Sequence, residues 1–170
     1  MKIIFSLLIG IAMSLVSQAQ TLAPIDTATK KISYTGVINV EKATQAVLFK
    51  RAHSLNVSGS GLITDKAADG YYSYKGQFPV SYHAPQPGLM HAGTVEYTVV
   101  MACKDGRYKY IITNFVHASD KGSGGPLEKS IPACNKYVLS LQGWGDIKRQ
   151  TAEQMDKLIA NMKVVMGNPE

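Results

Sequence analysis

The fold is decided by residues 95–116, Val95-Glu96-Tyr97-Thr98-Val99-Val100-Met101-Ala102-Cys103-Lys104-Asp105-Gly106-Arg107-Tyr108-Lys109-Tyr110-Ile111-Ile112-Thr113-Asn114-Phe115-Val116. β-Branched and aromatic residues fill both arms, and Asp105-Gly106 between them suits a two-residue turn with both central residues at positive φ. Seating that dipeptide in the turn sets a register. Cys103 then faces Tyr108, Met101 faces Tyr110, Val99 faces Ile112, Tyr97 faces Asn114 and Val95 faces Val116, all apolar or aromatic except Asn114. The opposite face carries Lys104 with Arg107, Ala102 with Lys109, Val100 with Ile111, Thr98 with Thr113 and Glu96 with Phe115. One side of the hairpin is core, the other a mixed and partly basic surface. A three-residue loop with a bulge would shift this register.

Upstream, Tyr72, Tyr74, Gly76, Phe78, Val80 and Tyr82 mark alternate positions of a strand whose other side bears Tyr71, Ser73, Lys75, Gln77 and Ser81. Ala68-Asp69-Gly70 turns the chain before it, and residues 62–65 form a short strand. The period changes over 42–57, where Leu48, Phe49, Ala52 and Leu55 recur at helical spacing and Ser58-Gly59-Ser60-Gly61 ends the helix. Residues 32–40 alternate again, with Ile32, Tyr34, Gly36, Ile38 and Val40 on the greasier face of a first strand. Downstream, 118–145 is a long connection with a linker-like Gly122-Ser123-Gly124-Gly125-Pro126, and 137–141 reads as a short strand or a turn of helix. Trp144, between two glycines, reads as a plug over the core. Met155, Leu158, Ile159, Met162 and Val165 form a closing helical stripe; Thr151 with Gln154 suits a capping box, and Gly167-Asn168-Pro169 a stop.

The remaining ends concern destination. Lys2, the apolar run 3–16 and Ser17-Gln18-Ala19 read as a secretory signal peptide over 1–19, which makes the protein exported, periplasmic or extracellular. That run is shorter than the roughly 20 residues of a bilayer span and no second one follows, so no transmembrane segment is expected after cleavage. Residues 20–31 read as a flexible leader, 32–166 as a single domain and 167–170 as a tail. Removing Lys2 leaves 17 basic against 12 acidic residues. This mild excess would suggest nucleic acid in a cytosolic protein; export substitutes anionic glycans, lipid head groups or acidic proteins. Cys103 and Cys134 are the only cysteines. In an oxidising compartment they either bridge, closing a loop of about 30 residues for roughly 3–4 kcal/mol, or stay as two free thiols.

The order strand, helix, antiparallel strands, long connection, helix comes with particular residues: Tyr34-Thr35-Gly36-Val37-Ile38, Leu48-Phe49-Lys50-Arg51-Ala52, and Val95 to Val99 leading into Lys104-Asp105-Gly106-Arg107-Tyr108-Lys109-Tyr110. In these the chain resembles an exported bacterial domain-of-unknown-function family with a TATA-binding-protein-like (TBP-like) fold. The resemblance implies an α+β domain, a curved antiparallel sheet with two helices packed on one face, in β-α-β-β-β-β-α order. It brings no activity, and fold alone does not bring DNA binding.

Neither Gly-x-Ser-x-Gly nor Ser-x-x-Lys occurs, His53, His83, His91 and His117 lack metal-ligand spacing, and the glycine run lacks the Gly-Lys-Ser/Thr of a phosphate loop. Catalytic residues, metal and cofactor are accordingly none. His83 and His91 share one predicted loop and read as surface residues. The candidate binding residues are Lys104, Arg107 and Lys109 at the hairpin tip, with Tyr71 and Lys75 beside them: a guanidinium fork, point charges and a flat ring for an anionic partner. The competing reading is a basic face that only keeps the sheet soluble. The expectation is a non-catalytic exported module binding a protein, glycan or anionic envelope component, with an envelope glycan- or peptide-processing enzyme and a structural subunit of a surface assembly as alternatives.

Overall fold

The residue periods carry over into elements with little change. A computed structural model describes residues 23–55 and 61–167. Its order is β1 (Ser33–Asn39), α1 (Gln45–Ser54), β2 (Leu62–Lys66), β3 (Tyr71–His83), β4 (Met90–Lys104), β5 (Arg107–Ala118), the two-residue β6 (Gly125–Pro126) and α2 (Leu141–Gly167), with a 3-10 turn at Ala67–Asp69. The strands form one antiparallel sheet in the order β1-β5-β4-β3-β2, and β6 pairs with β5 beyond the end of β1. The signal reading, positions 20–22 of the leader, the Ser58-Gly59-Ser60 exit and positions 168–170 lie outside the described residues.

Alternation builds the core. Tyr72, Tyr74, Val80 and Tyr82 of β3, Val95, Val99, Met101 and Cys103 of β4 and Tyr108, Tyr110 and Ile112 of β5 are buried on one face. Leu48, Phe49 and Ala52 of α1 and Trp144, Ile147, Met155, Met162 and Met166 of α2 are buried against it. Gly70, at φ 64°, makes the reversal into β3 that a side chain would resist, because a Cβ there would strike the Cys103 carbonyl.

Four expectations change. First, the register holds from the turn to Thr98 opposite Thr113 and then slips, with Glu96 opposite Val116 and Val95 opposite His117. Asn114, at φ 58°, is an extra residue on β5, and it carries Phe115 into the core and Val116 to the surface. Second, α2 begins at Leu141 rather than at a Thr151 cap. Ser140 Oγ accepts from Gly143 N–H at 3.1 Å, while Thr151 is buried mid-helix and donates to the Ile147 carbonyl at 2.8 Å. Third, the described part of the leader, 23–31, is held against the fold: Asp26 Oδ1 accepts from Ala28 and Thr29 N–H at 2.8 and 2.9 Å, and Ile25 bridges Ile32.

Fourth, Cys103 and Cys134 are both free thiols. Cys103 lies beside the Asp105-Gly106 turn, whereas Cys134 packs at Gly122, whose N–H donates to Ser119 just past the other end of β5. At about 3.3 Å per residue the length of β5 separates them by roughly 30 Å, against the roughly 7 Å that a bridge tolerates.

Candidate functional site

The face of the sheet away from the helices is uncovered among the described residues, and the pairing fixes which side chains share each row across it. At the turn the row is Asn39, Arg107 and Lys104. The next is Val37, Lys109, Ala102, Tyr71 and Lys66, one residue from each of five strands. Then come Thr35, Ile111, Val100, Ser73 and Thr64, and after them Ser33, Thr113, Thr98 and Lys75. Rows are about 7 Å apart and strands about 4.8 Å.

Lys104, Arg107 and Lys109 therefore neighbour one another and Tyr71. Lys75 is two rows away, roughly 13 Å from Tyr71 along β3, so it belongs to the face and not to the cluster. The residue that sequence reasoning passed over is Lys66, paired with Tyr71 from the edge strand. Its signal was the alternation of Leu62, Thr64 and Lys66, blurred by an irregularity between Leu62 and Thr64.

All four cations are exposed and none has an ion-pair partner among the described residues. The nearby acids are turned elsewhere. Asp105 Oδ1 accepts from Gln45 N–H at 2.7 Å at the start of α1, and Asp65 lies 3.1 Å from His53 Nε2 on the helix side. Ala102 and Tyr71, both half-buried, lie between Lys109 and Lys66, and Val37, 60% exposed, stands outside Lys109 on the edge strand. The result is an apolar strip framed by positive charge, a surface that offers contact area and anion binding together.

Among the described residues no three His, Cys, Asp or Glu side chains are grouped to hold a metal ion. His83 and His91 stand on β3 and β4 and not in one loop. His83 Nδ1 is 2.6 Å from Asp146 Oδ2, while His91 packs edge-on against Tyr82. Burial pushes the Asp146 carboxyl up, but the His83 hydrogen bonds and the charges of His83 and Arg149 outweigh it and hold the group below 3.8. His117 is fully buried; its Nδ1 accepts from Gly124 N–H at 3.1 Å and burial lowers its pKa from 6.5. Trp144 is the expected plug, edge-on to His117, its Nε1 donating to the Lys129 carbonyl at 2.9 Å.

No family model and no curated relative matches the sequence. Solved structures do. A DUF4468 family protein from Bacteroides ovatus superposes with a TM-score of 0.66 at 16% identity, over 88% of this chain and 92% of that one. A TBP-like protein from Parabacteroides distasonis superposes with a TM-score of 0.64 at 14% identity, over 88% of this chain and 99% of that one. The chain has a TBP-like fold. The resemblance drawn from the hairpin, first strand and first helix is met on both counts, since one neighbour is named for a domain of unknown function and the other for the fold. At this identity the likeness covers the fold alone. The chemistry of this TBP-like sheet is argued from its own side chains.

Proposed function

We propose that the protein is an exported, non-catalytic binding module that holds an anionic partner, a protein, glycan or other envelope component, on the turn end of its open sheet face. The observation that carries the reading is the set of exposed, unpaired Lys66, Lys104, Arg107 and Lys109 around Val37, Ala102 and Tyr71, with nothing covering them among the described residues. Unpaired cations beside apolar surface favour a ligand that brings negative charge and excludes water. Export rests on the N-terminal sequence and is checked by the N-terminus of the protein recovered from its host, expected at Gln20.

Site-directed photocrosslinking tests the face. A photoreactive phenylalanine at Tyr71 is expected to capture the partner, and the same group at exposed Val164 of α2 is not. Capture from Val164 alone would move the site to the helices.

A further inference from the structure

Among the described residues the sheet has three stretches of unpaired edge, and one of them is unguarded. Along residues 77–83 of β3 the edge is closed by α2: Gln150 accepts from Ser81 N–H at 3.1 Å and donates to its carbonyl at 2.6 Å, and Asp146 accepts from His83 N–H at 3.1 Å. The β2 edge carries Asp65 and Lys66. β1, with the sequence Ser-Tyr-Thr-Gly-Val-Ile-Asn, has no charge, no proline and no bulge, the devices that keep edge strands from pairing.

The outward groups of β1 can be assigned. Val40 N–H donates to Gly106 on the β5 side at 2.8 Å, whereas Ser33 N–H donates away from β5, to Pro24 at 2.9 Å. Alternation then points the N–H and C=O of Thr35, Val37 and Asn39 outward, and none of them has a partner among the described residues. The ordered arm at Pro24 and Ile25 occupies the edge at Ile32 and Ser33 and stops any pairing there. Among the described residues, what remains of this edge is 35–39, centred on Val37.

The geometry points to a second copy of this chain as the occupant of that edge, pairing β1 with β1 antiparallel about a two-fold axis at Val37. This register is self-complementary. Val37 faces Val37, Thr35 faces Asn39 and Gly36 faces Ile38; every outward N–H and C=O on 35–39 is satisfied, and the paired strands themselves carry no charge. A strand that is neutral throughout has no charge to select a foreign partner, whereas symmetry about Val37 selects its own copy. The two sheets become continuous, and because Lys109 is the β5 neighbour of Val37 the two basic clusters come to lie side by side. The pairing itself stands independently of what those clusters bind.

Light scattering over a concentration series reads the pairing directly. The protein is expected at twice its monomer mass at high concentration, and Val37→Lys at monomer mass under the same conditions with unchanged circular dichroism. One added cysteine in a Cys134→Ser background, where the remaining Cys103 is buried, fixes the register. Val37→Cys places two Cα atoms about 5.5 Å apart, within disulfide range, while Thr35→Cys leaves them roughly 13 Å apart. Oxidative dimer formation is expected more than tenfold faster for Val37→Cys. A protein that stays monomeric at about millimolar concentration, a Val37→Lys variant that still dimerises, or Thr35→Cys crosslinking as fast as Val37→Cys overturns the inference.

Discussion

The ring of Phe115 stacks on that of Tyr97, centroids 6.1 Å and planes 26° apart, although counting alternately from the Asp105-Gly106 turn puts the two on opposite faces of the sheet. Asn114 makes the difference. At φ 58° it inserts one residue into β5, held by Lys31 Nζ donating to its Oδ1 at 2.7 Å. Asparagine tolerates that conformation and a β-branched residue does not. Asn114→Val is expected to cost about 1–2 kcal/mol and lower the melting temperature by several degrees, while Asn114→Gly stays within about a degree or two of wild type. Thermal unfolding by circular dichroism checks both.

The same residue shows what could be read from the sequence. Period and turn chemistry disclosed every long strand, the first helix and the faces around the turn, because those follow from side-chain alternation and a single dipeptide. Asn114 was visible as the one polar residue on an apolar face, but nothing local distinguishes a bulge from a tolerated polar position. The start of α2 was hidden because 137–141 suits a short strand as well as a turn of helix and Gly143 and Gly145 are poor helix formers. Gly143 is in fact a packing glycine, since a Cβ there would collide with the His83 carbonyl. At the candidate site, Lys104, Arg107 and Lys109 were legible because the turn placed them, and Tyr71 because β3 alternates. Lys66 was not, since its row depends on a long-range pairing of β2 with β3.

His117 couples stability to pH. Burial lowers its pKa in the folded protein, and Nδ1 is occupied as an acceptor by Gly124 N–H, so the neutral ring is the folded form. Above the ordinary 6.5 both folded and unfolded chains are neutral at this position and nothing changes. As pH falls below that value the unfolded chain takes up the proton first, and stability drops until the folded pKa is passed. The urea midpoint is therefore expected to be lower at about pH 5.5 than at about pH 7.5, and His117→Gln, which keeps an acceptor but cannot titrate, is expected to lose that difference.

Gln150 takes the place of a neighbouring strand for Ser81. Removing its amide leaves the Ser81 N–H and C=O on an open edge, and Gln150→Ala is expected to cost about 1–2 kcal/mol, the scale of two hydrogen bonds to partly exposed backbone. Hydrogen exchange checks the mechanism: the Ser81 amide is expected to exchange faster in the variant, with Tyr72 and Val99 at the centre of the sheet unchanged.

The thiols separate by burial. Cys103 is buried and its pKa is pushed up to about 11, whereas Cys134 is half-buried with no disulfide between them. A thiol reagent applied without reductant is expected to label Cys134 in the native protein and both cysteines once it is unfolded. A non-reduced protein with no titratable thiol after unfolding would contradict the separation of the two ends of β5.

The central claim is that the turn end of the open face holds the partner by charge. Crosslinking in the exporting host followed by mass spectrometry tests it with two variants matched in charge: Lys104→Glu, Arg107→Glu, Lys109→Glu on the sheet, and Lys121→Glu, Lys157→Glu, Lys163→Glu on the 119–140 connection and α2. The expected result is a partner captured by wild type and by the second variant and lost from the first, with both variants folded. Equal capture by both, or equal loss from both, contradicts it.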